Sequence, residues 1–174
     1  MLSPRRLFQY SFPMTVYFLR HAAAIREAPT DAERKLSKKG RQEAQSAGNA
    51  LHRLGVRPDL IWSSPLVRAR QTAEIVAEAL GDSSKVAIQE ELENENSTQQ
   101  ILDLLKSLPA DSEVVLVGHM PSLAEHLAAL VGANDPGNFS LDKGGVACLR
   151  LDDLRLGKGE LRFRLRNEQL ERIA

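Results

Sequence analysis

The chain is poor in cysteine, in long apolar runs and in net charge, and each shortage narrows what it can be. Cys148 is the only cysteine among 174 residues. That excludes an intramolecular disulfide and a four-cysteine metal centre, and it suits a reducing compartment such as the cytoplasm. The apolar neighbours Val146, Ala147 and Leu149 mark Cys148 as a small core residue on a strand rather than a nucleophile. Lys plus Arg and Asp plus Glu each total 23, so the net charge is zero. Sequence-independent nucleic-acid binders are normally basic, so nucleic acid is not an expected partner. No apolar run approaches the ~20 residues that span a bilayer, so no membrane association is expected either. No spacing of ligating side chains suggests a metal site, and no cofactor is expected.

What is present suits a globular protein with a real core: 43% of residues are apolar and 26% charged. Residues 1–13 read as a flexible N-terminal extension. Arg5-Arg6 leads into Leu7-Phe8 there, but Pro13 interrupts and no small-residue cleavage site follows. Met14 is an alternative start, and residues 14–174 read as one domain. Strand and helix patterns then alternate. Thr15–Leu19 reads as a buried strand. Ser37 caps a helix to about Leu54, with Ala44, Ala47, Leu51 and Leu54 on one face and Gly55 at its end. Asp59–Trp62 is a short strand. Ser64-Pro65 is read as the cap and first position of a second helix, which Gly81 stops. Val86–Ile88 is a strand, and the acidic run Glu90–Glu95 a loop. Ser97-x-x-Gln100 is a capping box for a third helix. Glu113–Val117, with three valines, is the cleanest strand, and Ser122-x-x-Glu125 opens a fourth helix. Val146–Leu151 and Leu161–Leu165 close the pattern. Such alternation predicts a single three-layer α/β/α domain around a mainly parallel sheet.

In such sheets ligands collect at the carboxyl ends of the strands. Arg20-His21, Ser63-Ser64 and Gly118-His119 all fall at that edge, and Arg68 lies in the first turn of the helix that follows Ser64. Singly, each has a bland explanation as a capped strand end, a solvated helix residue or a turn. Jointly they suit a phosphoryl group. Guanidinium forks match its oxygens bidentately, and helix N-termini add partial positive charge. A neutral imidazole can attack phosphorus while a second stabilises the transferring group. The remaining histidines are read as an exposed helix residue, His52, and a structural one, His126.

Three segments carry a family resemblance: Leu-Arg-His at 19–21, Ser-Ser-Pro-Leu-Val-Arg-Ala-Arg-Gln-Thr-Ala at 63–73, and Val-Gly-His at 117–119. They resemble the signatures of the histidine phosphatase superfamily, also called phosphoglycerate-mutase-like. Leu36-Ser37-x-x-Gly40-x-x-x-Ala44 resembles a helix start common there. The short chain looks like the SixA-type phosphohistidine phosphatases rather than the longer mutases. The resemblance implies that His21 is a nucleophile that becomes phosphohistidine, and that Arg20, Arg68 and His119 complete the phosphate pocket, with no metal or cofactor. Ala22 stands where many members have Gly. Larger members place an acidic proton donor after the third strand, where Glu91 and Glu93 are the candidates; no motif selects between them, and a solvated acidic loop is the alternative. The expected substrate is phosphohistidine on a phosphorylated protein. A small phosphate ester is the alternative substrate, and a phospho-ligand sensor without turnover the alternative role.

Overall fold

The computed structural model describes residues 13–174. The expected N-terminal extension, except Pro13, lies outside the described residues. Six strands form one sheet: β1 (Met14–Arg20), β2 (Leu60–Ser63), β3 (Val86–Ile88), β4 (Glu113–Gly118), β5 (Val146–Leu151) and β6 (Gly159–Leu165). Their order is β3-β2-β4-β1-β5-β6. β1 to β4 run parallel, while β5 runs antiparallel to β1, and β6 to β5. The mainly parallel sheet is thus closed on one edge by an antiparallel pair.

Period-2 alternation in the strands builds two cores. Val16 and Phe18 of β1 point to one face, Tyr17 and Leu19 to the other. On the first face Trp62, Val114, Leu116 and Leu149 pack beneath α3 (Thr98–Lys106) and α4 (Ser122–Val131) through Ile101, Leu105, Leu123 and Leu127. On the second, Ile61, Val115, Val117 and Cys148 meet α1 (Lys38–Arg53) and α2 (Val67–Ala79) through Ala47, Leu51, Ala73 and Val76. The expected three-layer α/β/α architecture is what results. The small residues of α1 and α2 let those helices approach closely: a Cβ at Gly48 would lie 2.6 Å from that of Ala79.

Several local expectations need correction. Ser64 does not cap α2. The chain bends at Pro65-Leu66, where Leu66 with ψ 133° is not yet helical, and the helix begins at Val67 without a side-chain cap. The Ser64 hydroxyl is engaged elsewhere, as described below. By contrast, Ser122 opens α4 as expected, as its first helical residue after Pro121, and its hydroxyl accepts from the Glu95 N–H at 3.2 Å. Leu54 faces solvent rather than the core, since the helix has ended there and Gly55 reverses the chain with φ 81°. Within the acidic run, Glu90–Leu92 forms a 3-10 turn that buries Leu92. A fifth helix, α5 (Asn167–Ile173), was not legible in the periodicity. It is seven residues long and buries only Asn167 and Leu170.

The start of α1 is fixed by contact with the segment after β1. Ser37 N–H donates to the Ala23 carbonyl at 2.9 Å, and Ala23 N–H to the Glu43 carboxylate at 2.7 Å. A Cβ at Gly40 would stand 1.8 Å from that same Ala23 carbonyl oxygen. Gly40→Ala should therefore lower stability by about 1–3 kcal/mol, because backbone overlap outweighs the ~1 kcal/mol that Ala gains in helix propensity. Urea unfolding measures it, and an unchanged or raised midpoint would refute the close approach.

Candidate active site

Three strand ends are laced together by backbone hydrogen bonds beyond the sheet. His21 N–H donates to the Gly118 carbonyl at 3.0 Å, and Ser64 N–H to that of Val117 at 3.0 Å. On the other side, Arg20 N–H reaches Gly145 and Gly144 N–H returns to the Arg20 carbonyl, both at 3.1 Å. The ends of β1, β2 and β4 and the start of β5 thus meet at one point. The fold brings together Arg20, His21, Arg68 and His119, which are scattered over a hundred residues of sequence.

His21 and His119 lie with ring centroids 5.0 Å apart, tilted by 51°. Both are buried. His21 Nδ1 stands 2.8 Å from the Ala22 carbonyl, which can only accept, so Nδ1 carries the ring proton. Nε2 is left with its lone pair. Burial pushes the His21 imidazole down to about 4, helped by the positive charges of Arg68, Arg20 and Lys143 and opposed by the Ala22 bond. Burial likewise takes His119 down to about 3, with His21, Arg68 and Arg20 adding to it and Asp31 opposing. Both rings are neutral at neutral pH. His119 Nε2 lies 2.7 Å from Ser64 Oγ, while its Nδ1 is buried without a hydrogen-bond partner.

The two arginines are held differently. Arg20 Nη1 donates to the Leu141 carbonyl at 2.7 Å, and its buried Nε has no partner. Burial lowers Arg20 from its ordinary value, with Asp142 and Glu43 acting against that. Arg68 is buried, and Asp31 engages both its terminal nitrogens, through its carbonyl at 2.8 Å and its carboxylate at 2.9 Å. Hydrogen bonds from Arg34, and then from Arg68, hold the Asp31 carboxyl below its usual range.

Sequence reasoning missed several supporting residues. Thr72 Oγ1 accepts from Ala22 N–H at 3.1 Å and donates to the Arg68 carbonyl at 2.7 Å. Gln71 accepts from Leu36 N–H at 2.8 Å. Their signal was the spacing: Arg68 and Thr72 are four apart on one helix face. Asp31 had no such signal, sitting in a polar loop. Glu91 and Glu93 are half-buried, in and just after the turn at 90–92. Among the described residues, neither carboxylate hydrogen-bonds to Arg20, His21, Arg68 or His119. His52 is exposed, and His126 is buried with its Nδ1 2.9 Å from Thr98 Oγ1.

Burial also takes His126 down to about 4. His21, His119 and His126 therefore share one consequence for stability. Between pH 6.5 and 5 the unfolded chain binds protons that the folded chain refuses. Stability is full above pH 6.5 and falls on acidification, by up to about 1.4 kcal/mol per histidine per pH unit. Urea melts across that window should show the fall, and a flat profile would contradict neutral buried rings.

A sequence model of the histidine phosphatase superfamily (branch 1) matches residues 16–98. An uncharacterized protein of Picosynechococcus sp. is 36% identical over 148 residues, spanning 82% of this chain and 88% of its own. The phosphohistidine phosphatase SixA of Escherichia coli is 27% identical over 142 residues, 80% of this chain and 87% of that protein. A solved structure of the protein histidine phosphatase SixA, complexed with tungstate, superposes with a TM-score of 0.82 at 25% identity, covering 90% of this chain and 99% of that one. With the signature residues gathered in one pocket and likeness along most of the chain, the protein belongs to the histidine phosphatase superfamily, is similar to its SixA-type members, and is a phosphatase.

Proposed function

We propose that the protein removes the phosphoryl group from phosphohistidine on a protein, in two steps through a covalent intermediate on His21. The carrying observation is the 2.8 Å bond from His21 Nδ1 to the Ala22 carbonyl, which leaves Nε2 unprotonated. In the first step the Nε2 lone pair attacks phosphorus. The substrate ring, protonated on its other nitrogen, departs as neutral imidazole and takes the electron pair of the broken P–N bond. In the second, water attacks the phosphorus of phospho-His21, the P–Nε2 bond breaks with its electrons returning to the ring, and the water's proton passes to solvent. Arg20 and Arg68 bind the phosphoryl oxygens, and His119 stabilises the charge that builds on them. The tungstate held by the SixA relative, a tetrahedral oxyanion, fits such a pocket.

The preference for an N–P bond rests on proton supply. An alkoxide leaving group needs a general acid, whereas imidazole has an unperturbed pKa of about 6.5 and needs less help. Asp31 touches the pocket, but its arginine partners keep it ionised, so it has no proton to give at neutral pH. The single buried cysteine suits work in the cytoplasm.

One specific placement favours a small-ester phosphatase as the second reading. The turn holding Glu91 and leading to Glu93 abuts the site, with the Leu92 carbonyl 3.3 Å from where a Cβ on Gly118 would stand. The test compares a phosphohistidine peptide with p-nitrophenyl phosphate and traps the phosphoenzyme by intact mass. Rapid peptide clearance, poor ester hydrolysis and a His21-bound phosphate are expected. His21→Ala should lose activity by at least about 10³-fold while staying folded. Equal or better ester turnover, abolished in E91Q or E93Q, would replace this reading with the ester one. A His21→Ala variant that keeps most of its rate would remove the covalent mechanism.

A further inference from the structure

We infer that Ser64 is a positioning residue: its hydroxyl donates to His119 Nε2 and thereby fixes the ring proton on Nδ1, the nitrogen that meets the phosphoryl oxygens. The inference rests on the reading of this pocket as a phosphoryl-transfer site. It follows from a count of donors and acceptors. Ser64 is fully buried and His119 nearly so, which leaves little room for water to settle mismatches. Ser64 Oγ already accepts from the Leu66 N–H at 3.3 Å. Its own proton needs an acceptor, and among the described residues the hydrogen-bonded one is His119 Nε2 at 2.7 Å.

The reverse arrangement fails on two counts. If Nε2–H donated to Ser64, the hydroxyl would accept twice and its own proton would have no partner. Nδ1, buried and unpartnered, would then present a lone pair to an anion. With Ser64 as donor, the unpartnered Nδ1 carries a hydrogen that a phosphoryl oxygen can accept. Because the ring is neutral, it holds a single proton, and the tautomer decides whether His119 helps or repels. The backbone holds Ser64 for this role: its N–H is tied to Val117, two residues before His119, at 3.0 Å.

Nitrogen-15 NMR of the histidine rings in the phosphate-free protein reads the tautomer directly, with the His119 signals assigned from H119Q. The expected wild-type pattern is Nδ1–H for His119, lost in S64A. A wild-type Nε2–H pattern would overturn the inference, whether or not any variant folds. In turnover of the phosphohistidine peptide, S64A should lower kcat about tenfold with little change in KM, short of the ~10²–10³-fold that outright loss of a transition-state donor costs. Because Ser64 acts through His119, S64A/H119A should match H119A, and an additive loss in the double variant would overturn the inference. Failure of the phosphatase reading itself is distinguishable, since it appears as absent turnover by the wild type and leaves the tautomer spectrum unaffected.

Discussion

The site depends on keeping two imidazoles uncharged while surrounding them with cations. A histidine in water is half protonated near its ordinary pKa of about 6.5, and a protonated ring can neither attack phosphorus nor accept a hydrogen bond. Burial removes that option by making the charged form costly, and the nearby guanidiniums add repulsion. The same cations that discourage a proton on His21 are matched to a phosphoryl dianion. On the proposed mechanism, one electrostatic arrangement therefore serves both the nucleophile and its target.

Such an arrangement needs rigid support, and the sheet supplies it. β1 and β4 are adjacent and parallel, so their ends deliver His21 and His119 to neighbouring positions. The Gly118 carbonyl accepts from His21 N–H, so the two histidine-bearing segments are joined by backbone before any side chain is counted. Gly118 has no Cβ to push against Leu123 and the Leu92 carbonyl. On the far side, the antiparallel β5 brings Gly144 and Gly145 against Arg20, and α5 packs beyond them through Asn167, which donates to the Gly144 carbonyl at 3.3 Å.

The segment 63–73 ties these parts together. Ser64 reaches His119, Arg68 reaches Asp31, Gln71 holds Leu36 N–H, and Thr72 bridges Ala22 and Arg68. Each lies where an extended run gives way to a helix or on one face of that helix. This explains why so many residues of one short stretch carry the family resemblance. It also explains why the polar loop 22–35 has a defined path: Ala23, Asp31 and Leu36 are each pinned by a partner from α1 or α2.

Much of this was legible in the chain itself. Val16–Leu19 and Val114–Val117 are apolar runs too short for helices, and the alanine and leucine spacing of α1 is helical, so the alternation that makes a three-layer fold is local information. Arg20, His21, Arg68 and His119 stood out because strand ends are where such folds gather ligands. The antiparallel joining of β5 and β6 was not legible, since a strand's direction in a sheet leaves no trace in its own periodicity. Nor was α5, whose single buried apolar residue, Leu170, defines no stripe. Ser64 reads as a helix cap because a serine before a helical run normally is one. Only the tertiary structure decided otherwise: α2 begins at Val67, two residues past the expected start, and the Ser64 hydroxyl meets a partner from distant chain, His119 Nε2.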